Sequence, residues 1–220
     1  MAVLDTTKAT GSGSLQDVAR EAIKERILLG ELPAGSPLSE EGLARELNMS
    51  RTPVRHALQD LVAQGLLERT PGRGAVVRRI DIKKMLDIID VQECLLVWCV
   101  PRLCDLPDVD LSAVKDAYAK QLAGLASGDN RAVLLESRRM DTHLVGLTGN
   151  QEMVRYMREI SDLLVHAASQ MVSSREKLTQ AVSEHGEIID AIEARDKRRA
   201  REAIEVHLAG VKRRFLGLVE

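Results

Sequence analysis

The sequence predicts a mainly α-helical protein, with a winged helix-turn-helix near its N-terminus followed by an all-α antiparallel helical bundle. Three observations support this fold class. Two short helical patterns flank a tight turn within residues 38–63, and two strand-like segments follow them. Apolar residues recur at helical spacing through most of residues 82–218. Only four of the 220 residues are aromatic, so the core must be built from aliphatic side chains, which favours helices.

The composition is that of a globular protein, with 45% hydrophobic and 29% charged residues. No apolar run approaches the roughly 18 residues of a membrane span, and no apolar signal core lies near Met1. We therefore expect a cytoplasmic protein without a membrane partner. Cys94, Cys99 and Cys104 are spaced by five residues, unlike the close pairs of zinc or redox motifs, and are expected to be buried free thiols.

The chain divides into three predicted segments. Residues 1–14 are small, polar and rich in Gly and Ser, so we expect a flexible arm. Residues 15–80 hold the winged helix-turn-helix, and residues 81–220 hold the bundle. Turn residues divide the helical patterns into these predicted helices: 15–29, 82–103, 111–127, 130–147, 151–172, 176–194 and 197–218.

The second helix of the predicted motif begins after Ser50, whose hydroxyl can accept a hydrogen bond from a first-turn amide. One face of this helix is apolar at helical spacing, through Val54, Ala57, Leu58 and Leu61. Arg51, Thr52 and Arg55 lie on another part of its surface. Arginine binds guanine through two hydrogen bonds or holds a phosphate, so the pattern predicts a helix that reads DNA.

A predicted hairpin follows this helix. Strands at residues 66–69 and 75–79 are joined by a turn, and the tip Gly72, Arg73 and Gly74 suits close approach to a DNA backbone or minor groove. Residues 51–79 carry six arginines against Asp60 and Glu68, a local charge of about +4 in a chain whose net charge is −2. A small helical domain with a charged hairpin is the alternative that the pattern alone leaves open.

Residues 15–80 resemble the winged helix-turn-helix of GntR-type transcriptional regulators. Three stretches carry the resemblance: LSEEGLAREL, MSRTPVRHAL and GLLERTPGRGAVV. The rest of the chain resembles the helical FCD effector domain of the FadR subgroup. The resemblance implies a homodimer that binds double-stranded operator DNA and responds to a small carboxylate metabolite, and we expect a repressor. It assigns DNA contacts to Arg51, Thr52 and Arg55 and the wing tip to Gly72. His56 departs from the family, which usually has Glu there.

Three histidines lie in apolar stripes of three predicted helices: His143, His185 and His207. A buried imidazole must be hydrogen-bonded or ligated. Three imidazoles that converge in a bundle can hold Zn²⁺, Ni²⁺ or Mn²⁺. Spacing alone favours three core histidines that are satisfied by hydrogen bonds over a metal site.

These histidines also match the metal-binding version of the FCD domain, as the resemblance has it. The family pattern has an Asp four residues before the first histidine, where this chain has Arg139. A cation there opposes a divalent ion but can bind a carboxylate through two hydrogen bonds. We therefore expect Arg139, His143, His185 and His207 to form the effector site, with a metal on the three histidines or with an anion alone. Asp141 is expected to point about 200° away from His143.

A metal-dependent enzyme is the alternative function, in which the three histidines bind a metal that activates water. Such an enzyme needs a general base beside the metal, and no carboxylate-rich motif supplies one. This alternative also leaves the winged helix unexplained. The leading prediction is a metabolite-responsive regulator without catalytic residues, whose operator and effector the sequence does not name.

Overall fold

A computed structural model describes residues 14–71, 74–169 and 175–217. The predicted arm lies outside the described residues except for Ser14, and so do Gly72 and Arg73 of the predicted wing tip. The chain separates into two compact units. One contains Gly35–Arg78 and the residues up to Ile27, and the other contains Leu28–Ala34 and the residues from Arg79 onward.

The N-terminal unit is a helix-turn-helix with a small sheet. Its helices are α1 (Leu15–Leu28), α2 (Glu40–Glu46) and α3 (Arg51–Ala63), and its strands are β1 (Pro37–Leu38), β2 (Leu67–Thr70) and β3 (Gly74–Val77). The sheet is antiparallel in the order β1-β3-β2, and Leu67 faces Val77 across the hairpin. Strand β1 was not predicted, because two residues carry no periodic signal.

The turn between α2 and α3 depends on Asn48, which has a φ of 53°. Asparagine tolerates this left-handed conformation better than most residues. Ser39 caps α2 by accepting a hydrogen bond from the Gly42 amide. Ser50 occupies the N-cap of α3, as predicted, but its side chain makes no capping hydrogen bond. The predicted role of its hydroxyl as a cap is therefore wrong.

The second unit is a bundle of six described helices. They are α4 (Ile82–Leu103), α5 (Ser112–Ser127), α6 (Asn130–Gly146), α7 (Gln151–Ser169), α8 (Arg175–Glu193) and α9 (Lys197–Leu216). Helix α4 packs against α7 and α9, and α5 packs against α6 and α8. Asp81, Asp129 and Asp196 each cap a helix by accepting a hydrogen bond from a first-turn amide. The predicted end of α7 at residue 172 lies outside the described residues.

The core of the bundle is aliphatic, as the scarcity of aromatic residues predicted. Leu96, Leu103, Met140, Leu144 and Ile188 are among its buried residues. All three cysteines are free, and Cys99 and Cys104 are buried while Cys94 is exposed, so the prediction of three buried thiols fails at Cys94. Within the described part of the chain, no helix is both long and apolar enough to cross a membrane.

Candidate functional site

The exposed face of α3 carries the side chains that were predicted to contact DNA. Ser50, Arg51, Thr52 and Arg55 are all exposed. The apolar face of α3 is buried, through Val54, Ala57, Leu58 and Leu61. Burial of these four side chains holds the helix against the rest of the unit, so its polar face points toward solvent.

A concave surface of about 380 Å³ lies beside this face, between α2, α3 and the sheet. Arg51, Arg55 and Arg69 line it together with Glu40 and Glu41. The Arg51 guanidinium is 3.7 Å from the Glu40 carboxylate, and 68% of the Arg51 side chain is exposed. The arginines thus form a basic surface with an acidic margin. Gly74 begins β3 with a φ of +74°, which glycine adopts without strain.

A cavity of about 160 Å³ lies within the helical unit, between α4, α6, α7, α8 and α9. Its apolar lining residues are Leu134, Leu164, Val165, Ala168, Leu178, Ala181, Val211 and Phe215. Its polar lining residues are Gln92, Ser137, Arg138, Asp141, Ser161, Lys177, His185, His207 and Arg214. Such a mixture of apolar wall and a few convergent polar groups is typical of sites for small molecules.

Two of the predicted histidines meet at this cavity. The Nε2 atoms of His185 and His207 are 3.3 Å apart, and both rings are buried. His185 Nδ1 is 2.6 Å from Gln121 Oε1, and His207 Nδ1 is 2.9 Å from a Glu184 carboxylate oxygen. Burial lowers the pKa of both histidines, although Glu184 partly offsets this for His207. Both imidazoles are therefore neutral at pH 7.

The hydrogen-bond partners assign the protons on this histidine pair. Each Nδ1 faces an oxygen acceptor and so carries the hydrogen, which leaves a lone pair on each Nε2. The two lone pairs then face each other across 3.3 Å, an arrangement that a shared cation would stabilise. Rotating the Gln121 amide by 180° would instead let His185 donate to His207, and that arrangement needs no cation.

Glu184 is held in place by Arg214 as well as by His207. Two guanidinium nitrogens of Arg214 each lie 2.9 Å from a Glu184 oxygen, a bidentate pair. Gly210 leaves room for this ion pair, because a Cβ at Gly210 would lie 2.8 Å from both Glu184 and Arg214. Burial opposes ionisation of Glu184, but the bonds from His207 and Arg214 hold its pKa below the ordinary value. This carboxylate therefore fixes the orientation of His207.

His143 and Arg139 do not join this cavity. Both are exposed, and the Arg139 guanidinium forms an ion pair with Glu136 of the same helix. The buried stripe of α6 instead runs through Met140, Asp141, Leu144 and other residues. The predicted convergence of three histidines with Arg139 is therefore not found. The prediction placed His143 on the inner face of α6, but Asp141, two residues earlier, occupies that face and His143 is exposed.

Asp141 is the buried carboxylate of the cavity wall. Its Oδ2 accepts a hydrogen bond of 2.8 Å from Gln92 Nε2, and burial raises the pKa of Asp141 to about 7. The Gln92 Oε1 atom is buried and has no hydrogen-bond partner. Arg138 lies one turn before Asp141 but forms an ion pair with Asp162. Two acceptors thus lie side by side in the wall.

The predicted set of three histidine ligands for a metal is incomplete in this geometry. No group of three or more His, Cys, Asp or Glu side chains is arranged to hold a metal ion in residues 14–71, 74–169 and 175–217. The structure brings together His185 and His207, and it leaves His143 outside. These two imidazoles have the outer hydrogen bonds that metal-ligating histidines usually have.

Several residues of the site were missed by the sequence analysis. Glu184 precedes His185 directly, and Arg214 follows His207 by seven residues, so helical spacing places it on the same side of α9. That spacing could have indicated that Arg214 lies on the same side of α9 as His207. Gln121 and Asp162 come from other helices, and nothing in the local sequence indicates their contacts.

Two family models match the chain. The model of "Bacterial regulatory proteins, gntR family" matches residues 15–77, and that of the "FCD domain" matches residues 87–210. These matches cover the winged unit and most of the helical unit, so they confirm the resemblance found from the sequence.

Similar proteins are transcriptional regulators. The "Probable D-xylose utilization operon transcriptional repressor" of Paenarthrobacter nicotinovorans is 27% identical over 93% of this chain and 90% of its own. The "Glc operon transcriptional activator" of Escherichia coli K12 is 26% identical over 90% of this chain and 87% of its own. These two relatives are named for opposite signs of regulation, and the enzyme alternative finds no support among such regulators.

A solved structure shows the same fold. A transcriptional regulator GntR from Rhodococcus sp. RHA1 superposes with a TM-score of 0.85 at 21% identity, covering 94% of this chain and all of its own. Fold, family models and relatives agree. The chain belongs to the GntR family of bacterial regulatory proteins and has a C-terminal FCD domain.

Proposed function

We propose that this regulator acts as a homodimer in the cytoplasm, that it reads a DNA operator with α3 and that a small carboxylate metabolite in the helical cavity controls operator affinity. One observation supports the proposal: one unit has an exposed arginine face on α3, and the other unit has a preformed cavity. A ligand acts on DNA binding through its different affinities for the DNA-competent and DNA-incompetent states. A repressor that its effector releases from DNA is the form that we propose.

Arg51 and Arg55 supply the main DNA contacts in this proposal, with Ser50 and Thr52 at the start of the helix and Gly72, Arg73 and Gly74 at the wing. An arginine that reads guanine contributes about 1–3 kcal/mol to specific binding, and one that holds a phosphate also affects the salt dependence. Arg51→Ala and Arg55→Ala should each weaken operator binding by roughly 5- to 150-fold.

The test uses the operator recovered from genomic fragments that the purified protein retains, with affinity measured by fluorescence anisotropy at two salt concentrations. Arg155→Ala, an exposed arginine of the helical unit, is the matched control for loss of one charge. Wild-type affinity in both α3 variants, with their folds intact, would refute the assignment.

The effector carboxylate lies, in this proposal, beside Lys177 and the histidine pair. All three line the cavity, whereas Arg139 is directed elsewhere. Calorimetry should show that a small organic acid binds with one site per chain, and Lys177→Met should weaken it at least ten-fold. Lys120→Met, in which an exposed lysine outside the cavity is replaced, is the control. Failure of every small acid to bind would contradict the effector proposal.

A divalent metal is proposed for the histidine pair alone. Two nitrogens that each lie about 2.05 Å from one zinc ion at a tetrahedral angle are about 3.3 Å apart. The two Nε2 atoms have that separation. His185 and His207 would hold Zn²⁺, Ni²⁺ or Mn²⁺, and water or the effector would complete the coordination. The metal, when bound, supplies a positive charge that attracts a carboxylate.

Elemental analysis and zinc titration test this site. Gln121→Glu keeps an acceptor on His185 Nδ1 and should retain zinc, whereas Gln121→Met removes the acceptor and should lower zinc affinity by about 10- to 100-fold. If the wild-type protein takes up no metal, or if the Met variant binds it equally well, the histidines bond only to each other and the proposal is wrong.

Dimerisation is proposed through the helical unit. Val91 and Trp98, seven residues apart on α4, are 48% and 43% exposed, and Cys94 between them is exposed as well. These residues lie along one side of the helix, and exposed apolar stripes of this kind mark protein interfaces. Trp98→Glu should produce a monomer in sedimentation, with Tyr156→Glu, another exposed aromatic residue, as the control. A wild-type monomer at micromolar concentration would contradict the proposal.

A further inference from the structure

Asp141 is a buried carboxylate that lacks a positively charged partner in the protein. It is 7% exposed, and its hydrogen bond comes from the neutral amide of Gln92. Across residues 14–71, 74–169 and 175–217, no lysine, arginine or histidine forms an ion pair with it. An ionised carboxylate is costly to bury without a positively charged partner, so a cationic group bound beside Asp141 would stabilise its ionised form.

The Gln92 side chain adds a second acceptor at the same place. Gln92 is 4% exposed and lines the cavity, and its Oε1 atom has no hydrogen-bond partner. A buried acceptor without a donor destabilises the folded protein, because it has lost its hydrogen bonds to water. One molecule that donates hydrogen bonds to both Asp141 and Gln92 would remove both costs together.

The nearby arginines are engaged with other carboxylates. Arg138 pairs with Asp162, and Arg214 binds Glu184 through two hydrogen bonds. Lys177 and Asp141 also line the wall. The wall of the cavity therefore has charged groups of both signs as well as apolar side chains, and Asp141 is the carboxylate that no arginine of the wall neutralises.

We infer that the effector of this cavity is an amphoteric metabolite, an amino acid or similar amino-substituted acid, whose ammonium group donates to Asp141 and Gln92. The inference rests on the proposed function and deepens it, because it adds an ammonium group to the carboxylate by which the effector is recognised. An ammonium group has three donors and one positive charge, so it satisfies both acceptors and neutralises Asp141. A hydroxyl group can donate to one acceptor but leaves the charge of Asp141 uncompensated.

The size and lining of the cavity agree with this class of ligand. A volume of about 160 Å³ holds roughly ten water-sized groups, which suits an amino acid of middle size. Leu164, Leu178, Val211 and Phe215 also line the cavity, so they favour an apolar side chain on the ligand.

Calorimetry on the full-length, metal-free protein tests the inference with matched pairs of compounds. The probes are the twenty protein amino acids and the desamino acid of each skeleton, such as L-leucine with 4-methylpentanoate. The amino-bearing member of the best pair should bind at least ten-fold more tightly than its desamino partner. In Asp141→Asn that preference should vanish, because the desamino acid keeps its affinity while the amino acid loses it. Gln92→Met should weaken the amino acid in the same direction.

The possible failures are distinguishable. Equal or tighter binding of the desamino acid, unchanged in Asp141→Asn, would overturn the inference and leave the carboxylate effector standing. No binding by either series would overturn the inference together with the effector proposal. A loss of zinc affinity in Asp141→Asn would show that a metal compensates Asp141, and this also would overturn the inference.

Discussion

Replacing Asp141 by asparagine is expected to stabilise the ligand-free protein, by an amount that increases with pH. Asparagine has the same shape as aspartate and carries no charge. Its amide can accept from Gln92 Nε2 and donate to Gln92 Oε1, the buried oxygen that lacks a partner. The substitution therefore removes a buried charge and satisfies an unmatched acceptor.

The magnitude follows from the pKa of Asp141, which burial raises from its ordinary value of 3.8 to about 7. A ten-fold change in proton affinity corresponds to about 1.4 kcal/mol. Ionising Asp141 therefore costs about 4 kcal/mol more in the folded protein than in the unfolded chain. Between pH 3.8 and about 7 the folded state holds a proton that the unfolded state releases. Raising the pH through this window removes stability from the wild type, and above pH 7 the loss is complete.

The assay is urea unfolding of wild type and Asp141→Asn between pH 4 and pH 8.5. The gain in unfolding free energy should be small at pH 4 and should reach a few kcal/mol above pH 7. Asp162→Asn is the matched control, because Asp162 is equally buried but pairs with Arg138. Breaking that buried pair should destabilise by about 3–5 kcal/mol. A difference between wild type and Asp141→Asn that does not change with pH would refute the reasoning.

Three further substitutions test other contacts. Glu40→Gln removes the carboxylate 3.7 Å from Arg51 and should tighten operator binding by about 0.2–1 kcal/mol in anisotropy titrations, an effect that high salt should reduce. Gly210→Ala should destabilise the helical unit in thermal unfolding by about 1–3 kcal/mol, because its Cβ would lie 2.8 Å from Glu184 and Arg214. Gly146→Ala is its control, since the new Cβ would meet only ordinary contact at 3.9 Å, and should be neutral or stabilising. Gly124→Ala should also destabilise by about 1–3 kcal/mol, because its Cβ would lie 2.9 Å from Val133; unchanged unfolding would contradict the close packing of α5 on α6.

The fold was predictable because its signals are local. Helical periodicity located α4 and the five helices after it, and aspartates such as Asp81 and Asp196 marked where helices begin. The face of α3 was also predictable, since its apolar residues repeat over three turns. Strand β1 escaped prediction because its pairing with β3 is a contact between distant residues.

The cavity was less predictable because the decisive contacts join different helices. The sequence placed His143 inward from its apolar neighbours, but a shift of two residues on a helix is about 200°, so Asp141 faces inward and His143 outward. His185 and His207 were placed correctly, since their stripes are longer. Which carboxylate has a cation partner depends on rotamers, and local sequence does not determine them.

The central claim is that the helical cavity controls the operator affinity of the α3 face. It is tested most directly by anisotropy titration of the operator with the wild type and Asp141→Asn, with and without the tightest-binding amino acid of the panel. The account predicts that the amino acid changes the operator dissociation constant of the wild type by about 5- to 150-fold and leaves that of Asp141→Asn unchanged. An amino acid that binds the wild-type cavity and leaves operator affinity unaltered would contradict the claim.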